Sequence, residues 1–205
     1  MIIWFASGNA HKKQELQAIL PNHTIRTPAD AGLDFAPEET GSTFLENALI
    51  KARALSDLVN AHGTLAPGTL VQGTKVPVIA DDSGLCVDAL AGRPGINSAR
   101  YGGGGTAGNQ TRLLLGELGD NPNRRARFVC AMVLLFSPDR FFAVQETLEG
   151  EIVREARGEG GFGYDPILRL PEFGRTVAEL SEEEKNRISH RGKAGRAIAT
   201  LLAGD

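Results

Sequence analysis

Unbroken apolar runs alternate with amphipathic helical segments along the chain, and this alternation predicts an α/β protein. Residues 1–6, Met-Ile-Ile-Trp-Phe-Ala, read as a buried strand. Ser7-Gly8-Asn9 breaks it, and Leu16, Ile19 and Leu20 then recur at helical spacing, predicting a helix over 12–20. Residues 24–27 suit a short strand, and 28–41, rich in proline, glycine and acid, suit an irregular loop. Thr43 and Glu46 fit a capping box. The helix they open runs to about Val59, with Phe44, Ala48, Leu55 and Val59 on one face. Residues 61–75 read as a surface insertion, and the glycines at 102–105 as a mobile loop. Residues 106–118 predict a helix with Leu114, Leu115 and Leu118 inward. The most β-like run of the second half is 124–136. A turn at Pro138-Asp139, a return arm over 141–148 and a third strand over 149–154 follow it. A capping box at Ser181 and Glu184 precedes a last helix over about 188–202, on Ile188, Ala194, Ile198 and Leu201.

The stretch Pro77-Val78-Ile79-Ala80-Asp81-Asp82-Ser83-Gly84-Leu85 organises the middle of the chain. An apolar strand runs into two adjacent carboxylates, and Ser83-Gly84 reads as the sharp turn that ends it, before another short strand over 85–90. Ligands of open α/β sheets bind at the carboxyl ends of strands, where Asp81 and Asp82 would then stand. Neighbouring strand residues point to opposite faces, so the two need not share a role. A plain Asp-Asp-Ser-Gly turn accounts for the same residues.

Composition narrows the function. The 205 residues are 41% hydrophobic and 23% charged, ordinary for a globular protein with a sizeable core. A net charge of −3 provides no strong positive field, which argues against non-specific nucleic-acid binding. An anionic substrate would need local cations or a bridging metal. Cys86 and Cys130 lie inside apolar runs and read as small buried hydrophobes, suiting a reducing, cytoplasmic setting. The first residues lack the basic region of a signal peptide, and no 18-residue apolar run exists to span a membrane.

Other candidate chemistry is weaker residue by residue. A strand, the turn Ser7-Gly8-Asn9 and a helix start carrying Lys12 make an anion site, or a plain joint with a solvated lysine. Asn47 and Lys51 lie four apart beside the apolar face of their helix. Gly161-Phe162-Gly163-Tyr164-Asp165 allows close backbone approach and leaves an aromatic face for stacking, or is a hairpin loop with packing aromatics. Ser189-His190-Arg191 is a solvated helix start, or the donors that hold a purine edge or phosphate.

Five motifs stand in order: Ser7-Gly8-Asn9-x-x-Lys12; Glu38-Glu39-Thr40-Gly41-x-Thr43-Phe44-x-Glu46-Asn47-Ala48-x-x-Lys51; Ala80-Asp81-Asp82-Ser83-Gly84-Leu85 with Gly95-x-x-Ser98-Ala99-Arg100-Tyr101; Gly161-Phe162-Gly163-Tyr164-Asp165-Pro166; and Glu184-Lys185 with Ser189-His190-Arg191-Gly192. Together they resemble the inosine/xanthosine triphosphate pyrophosphatase family, the house-cleaning (Ham-type) nucleotidases, over about residues 1–203.

The resemblance implies one domain over 1–205 with a long twisted mixed β-sheet, flanking helices, two lobes and a central cleft. It implies Mg²⁺-dependent hydrolysis of ITP, dITP and XTP to monophosphate and pyrophosphate, keeping them out of DNA and RNA. It also implies a homodimer. By position, Ser7, Gly8, Asn9, Ala10, His11 and Lys12 would hold phosphates. Glu39 and Asp82 would bind Mg²⁺, Asp82 also accepting a proton, with Lys51 and Asp81 supporting that cluster and Ser83 touching substrate. Phe162, Gly163, Tyr164 and Asp165 would cradle the base, and Lys185, His190 and Arg191 would read its edge. Two other readings stay open: a nucleotide-binding module without catalysis, and a pyrophosphatase for pyrimidine or modified nucleotides. The carboxylates Glu39, Asp81 and Asp82 argue against the first, and the 162–165 and 189–191 segments against the second.

Overall fold

The computed structural model describes residues 1–62, 76–103 and 107–202. Its strands are β1 (Ile2–Phe5), β2 (Thr24–Arg26), β3 (Val78–Val87), β4 (Arg125–Ser137), β5 (Arg140–Ile152), β6 (Leu168–Leu170) and β7 (Arg175–Thr176). Its helices are α1 (Ala10–Ile19), α2 (Phe44–His62), α3 (Ala107–Leu118), α4 (Glu182–Ile188) and α5 (His190–Leu202). The strands form one seven-stranded sheet in the order β2-β1-β3-β4-β5-β6-β7. β1 pairs in parallel with β2 and β3, whereas β5, β6 and β7 are antiparallel neighbours. The sheet is therefore mixed, and the α/β class expected from the apolar pattern holds.

The chain divides into two compact units: Met1–Asp82, Ala131–Gln145 and Ala194–Asp205 in the first, and Ser83–Cys130 and Glu146–Lys193 in the second. The first unit packs the expected face of α2 (Ala48, Ala52, Leu55, Val59) against Trp4, Val78, Ala80, Val133 and Leu135. Trp4, a large side chain for a strand, is 1% exposed and lies under the Arg26 guanidinium, 5.6 Å from its ring centre. The second unit centres on Leu85, Val87, Leu114, Leu118, Phe128, Leu148, Ile152, Tyr164, Ile167 and Leu168. Both cysteine thiols are free, Cys130 fully buried and Cys86 partly.

Four readings of the sequence need correction. Ser83-Gly84 is not a turn: β3 runs unbroken through it, and the 85–90 strand is its second half, closed by a 3₁₀ turn at Asp88–Leu90. Asp81 and Asp82 consequently stand in mid-strand. Gly84 is there for closeness rather than bending, since a Cβ on it would run into Gly95 O and Ser98 Oγ. The 149–154 strand is the end of β5. The capping box at Ser181 opens a helix of its own, α4, which Ser189 ends with extended backbone (φ −66°, ψ 158°), so the last helix begins at His190 rather than at 188. At the far end Leu202 rather than Leu201 is fully buried. The expected insertion over 61–75 falls outside the described residues beyond His62, where α2 ends, as do Gly104 and Gly105. No helix of the described residues is long and apolar enough to cross a membrane.

A polar knot ties α1 to the segment after β2. Asp30 accepts from Thr27 N and Thr27 Oγ1, and Lys13 Nζ donates to both of its oxygens at 2.7 Å. The Lys13 bond and then the Thr27 bonds hold the Asp30 carboxyl down from 3.8 to about 2. A depressed folded-state value stabilises the fold above 3.8, and that stability is lost as pH falls toward 2. Asp30→Asn should therefore melt at a lower temperature than the parent at neutral pH, with the gap closing in acid across that window. Gly84→Ala should lower stability by about 1–3 kcal/mol in a denaturant titration, because the obstructing Gly95 oxygen belongs to the backbone.

Candidate active site

Titratable side chains gather in two sets, one in each unit. In the first unit, the end of β1 delivers Ser7-Gly8-Asn9 to the start of α1. Asn9 caps that helix: its Oδ1 accepts from Lys12 N at 3.2 Å, while its own N–H donates to Ser7 Oγ at 3.2 Å. Gly8, Asn9, Ala10 and His11 are exposed around the helix start, where main-chain N–H groups and the helix dipole favour an anion. The side chain of Lys12, from the same turn, instead reaches Asp81, with Nζ 3.0 Å from Oδ1.

Asp82, on the opposite side of β3, has its own cation. Lys51 Nζ from α2 stands 2.7 Å from Asp82 Oδ1 and 3.0 Å from Glu39 Oε1, so two carboxylates distant in sequence meet on one ammonium. Asn47, one helical turn before Lys51 and fully buried, accepts from Gly41 N at 2.8 Å and approaches Asp82 Oδ2 through Nδ2 at 3.5 Å. It fixes the loop carrying Glu39 against the helix. Sequence reasoning noted Asn47 only as a neighbour of Lys51; their spacing of four was the available signal.

Electrostatics in this set follow from burial. Desolvation pushes the Asp82 carboxyl above its ordinary value, with Lys51 and Lys12 only partly opposing it. For Lys51 desolvation works against the charge, but Asp82, Asp81 and Glu39 together outweigh it and hold the ammonium above the usual lysine range. Among the described residues no three His, Cys, Asp or Glu side chains are grouped to cage a metal ion by themselves. Glu39 and Asp82, both reaching one cationic atom, form a hard oxygen pair of the kind that suits Mg²⁺, which takes one or two carboxylates and completes its shell with water and phosphate.

The second unit holds the remaining candidates. Ser83 Oγ accepts from Arg191 Nη2 at 2.8 Å, and Arg191, 1% exposed, is one of the largest fully buried side chains. Phe162 is half-buried beneath two cations, Lys185 Nζ 4.5 Å and the Arg191 guanidinium 5.7 Å from its ring centre. Asp165 Oδ2 accepts from Lys185 Nζ at 2.7 Å and from Phe162 N at 2.8 Å. Gly161, at φ +70°, passes so close to this carboxylate that a Cβ there would strike Asp165 Oδ2. Gly163 also takes a left-handed conformation, φ +63°.

Two expected ligands are packed more deeply than a solvated helix start or open loop would be. Tyr164 belongs to the core, where burial pushes its phenol well up, and its OH donates to Ser98 O at 3.0 Å. The aromatic face left for stacking is therefore that of Phe162. His190 is 6% exposed and stacks on Phe128, ring centres 4.9 Å apart. Ser98 is a position the sequence reading left unassigned: its Oγ accepts from Leu85 N at 2.9 Å and donates to Gly95 O at 2.6 Å. It ties β3, just past Ser83, to the segment bearing Tyr164.

Comparisons with known proteins identify the family. The model of the Ham1 family matches residues 3–201. A Treponema denticola protein named dITP/XTP pyrophosphatase is 50% identical, covering the whole of both chains. The Ham1 protein of Staphylococcus aureus superposes with a TM-score of 0.83 at 38% identity, covering 100% of this chain and 99% of that one. A HAM1 protein from Coxiella burnetii gives 0.83 at 37% identity over the whole of both chains. By family model, full-length identity and fold alike, the chain belongs to the Ham1 family.

Proposed function

We propose that the chain hydrolyses deaminated purine nucleoside triphosphates (dITP, ITP and XTP) to the monophosphate and pyrophosphate, with Mg²⁺. The observation that carries this reading is the pair Glu39 and Asp82, drawn together on one ammonium beside the Lys12–Asp81 pair. The name borne by the full-length Treponema denticola relative supports the substrate class. A bound divalent cation would supply charge neutralisation for the triphosphate and Lewis acidity at phosphorus. Glu39 and Asp82 would hold it.

The chain's own residues would do the rest. Asp82 Oδ2, the oxygen not bonded to Lys51, would take the proton of the attacking water. Main-chain N–H groups from Ser7 to Lys12, with the Lys12 and Lys51 ammonium groups, would bind phosphate oxygens and offset charge on departing pyrophosphate. Asp81 would keep Lys12 in place. Phe162 would stack on the base. Lys185, His190, Arg191 and nearby N–H groups would donate to a 6-oxo group, a bond that a 6-amino group cannot accept. Asp165 and Tyr164 would hold that segment in shape, and Ser83 would contact substrate while partnering Arg191. The family resemblance carries the further expectation of a cytoplasmic homodimer.

Pyrophosphate release from XTP, ITP, GTP and ATP, each with Mg²⁺ and with EDTA, tests the reading. Metal-dependent release favouring XTP and ITP is the expected result; binding of ITP without release from any of them would leave a nucleotide-binding module. Asp82→Asn should lower kcat by about 10²- to 10⁴-fold with the fold retained by circular dichroism, and near-normal turnover would refute its role as base. Arg191→Lys keeps the charge but removes the fork that reaches Ser83, so KM for XTP should rise by about tenfold while kcat changes little.

A further inference from the structure

We propose that Lys51 is a placeholder for the divalent cation: its ammonium bridges Glu39 and Asp82 and leaves these two oxygens when the cation binds. This rests on the metal role given above to Glu39 and Asp82. Lys51 Nζ contacts Glu39 Oε1 at 3.0 Å and Asp82 Oδ1 at 2.7 Å, the distances of charge-assisted hydrogen bonds to both groups at once. A magnesium ion on the same two oxygens would need them at about 2.0–2.1 Å, and ammonium and ion would then repel at contact range. The two cations therefore compete for these two oxygens.

The surroundings explain why a stand-in is present. The side chains of Asp82 and Lys51 are each 10% exposed and that of Asp81 is fully buried, so water screens these charges poorly. Lys12 is committed to Asp81 Oδ1, which leaves Lys51 as the cation shared by Glu39 and Asp82. With Lys51 there, part of the pair's charge is offset and the Glu39 loop is held to α2. The flexible four-carbon stem of lysine lets the ammonium swing from carboxylate to phosphate, whereas a rigid guanidinium fork would hold on. The metal therefore binds weakly alone and more tightly once a polyanion offers the ammonium a new partner, a coupling that must act equally in both directions.

The test is Mn²⁺ binding without nucleotide, followed by the electron paramagnetic resonance of the free ion, for the parent, Lys51→Met and Glu39→Gln. Lys51→Met should bind Mn²⁺ about tenfold more tightly than the parent. In EDTA its melting temperature should fall below the parent's, and Mn²⁺ should restore it. Equal or weaker Mn²⁺ binding by Lys51→Met would overturn the proposal, because Lys51 would then be building the metal site rather than holding its place. Lys51→Gln, neutral but still able to donate a hydrogen bond, gives the same readout should the methionine variant fail to fold without metal. Unchanged Mn²⁺ affinity in Glu39→Gln is a separate failure, that of the metal assignment itself.

Discussion

Two consecutive carboxylates buried in the middle of a strand set the terms for the first unit. A charge removed from water must be paired or neutralised, and adjacent strand residues face opposite ways. One partner cannot serve both, so the chain provides two. Lys12 from the first turn of α1 meets Asp81, and Lys51 from the middle of α2 meets Asp82. Each lysine is delivered by a helix whose position is fixed by other means: the Asn9 cap begins α1, and α2 packs Ala48, Ala52 and Leu55 into the core. The polar cluster thus depends on the apolar packing beside it, and its charge balance leaves the helices little freedom to move.

In the second unit the controlling factor is close approach. Several glycines come near enough to other atoms to exclude a side chain, among them Gly84 against Gly95 O and Ser98, Gly158 against the Ala178 backbone, and Gly161 against the Asp165 side chain. The contacts bring Ser98 within reach of Leu85 N and Tyr164 OH, and Asp165 within reach of Phe162 N and Lys185. Arg191 is accepted into the interior because Ser83 and the Phe162 ring take up its guanidinium. The Phe162 ring in turn offers its π face to both cations.

The sequence made much of this legible, and its failures share a physical cause. Elements with a strong local period, such as α2 with Phe44, Ala48, Leu55 and Val59, were readable because the period is the packing. Ser83-Gly84 misled because Ser-Gly has the composition of a turn, whereas the glycine answers to Gly95 and Ser98, residues it meets only in the folded chain. β6 and β7, three and two residues long, carry no period to detect. The break at Ser189 was hidden because Ile188, the one apolar residue of α4, stands at helical spacing from those of α5. Within the site, the motif residues could be named from their order, but not the pairings. That Glu39 and Asp82 share Lys51, or that Tyr164 is core while Phe162 is half-buried under two cations, depends on distances that spacing does not encode.

The unbroken course of β3 through Asp82 and Ser83 makes that strand a ruler. Asp81 and Asp82 serve different cations on different faces, and Ser83, next along, answers to Arg191. Inserting or deleting one residue upstream in the strand would exchange the faces of all three at once. A substitution on β3 leaves this frame intact, whereas length changes there would have to come in pairs or not at all. Sequence drift in this protein should accumulate in its loops, while the frame of this one strand stays locked.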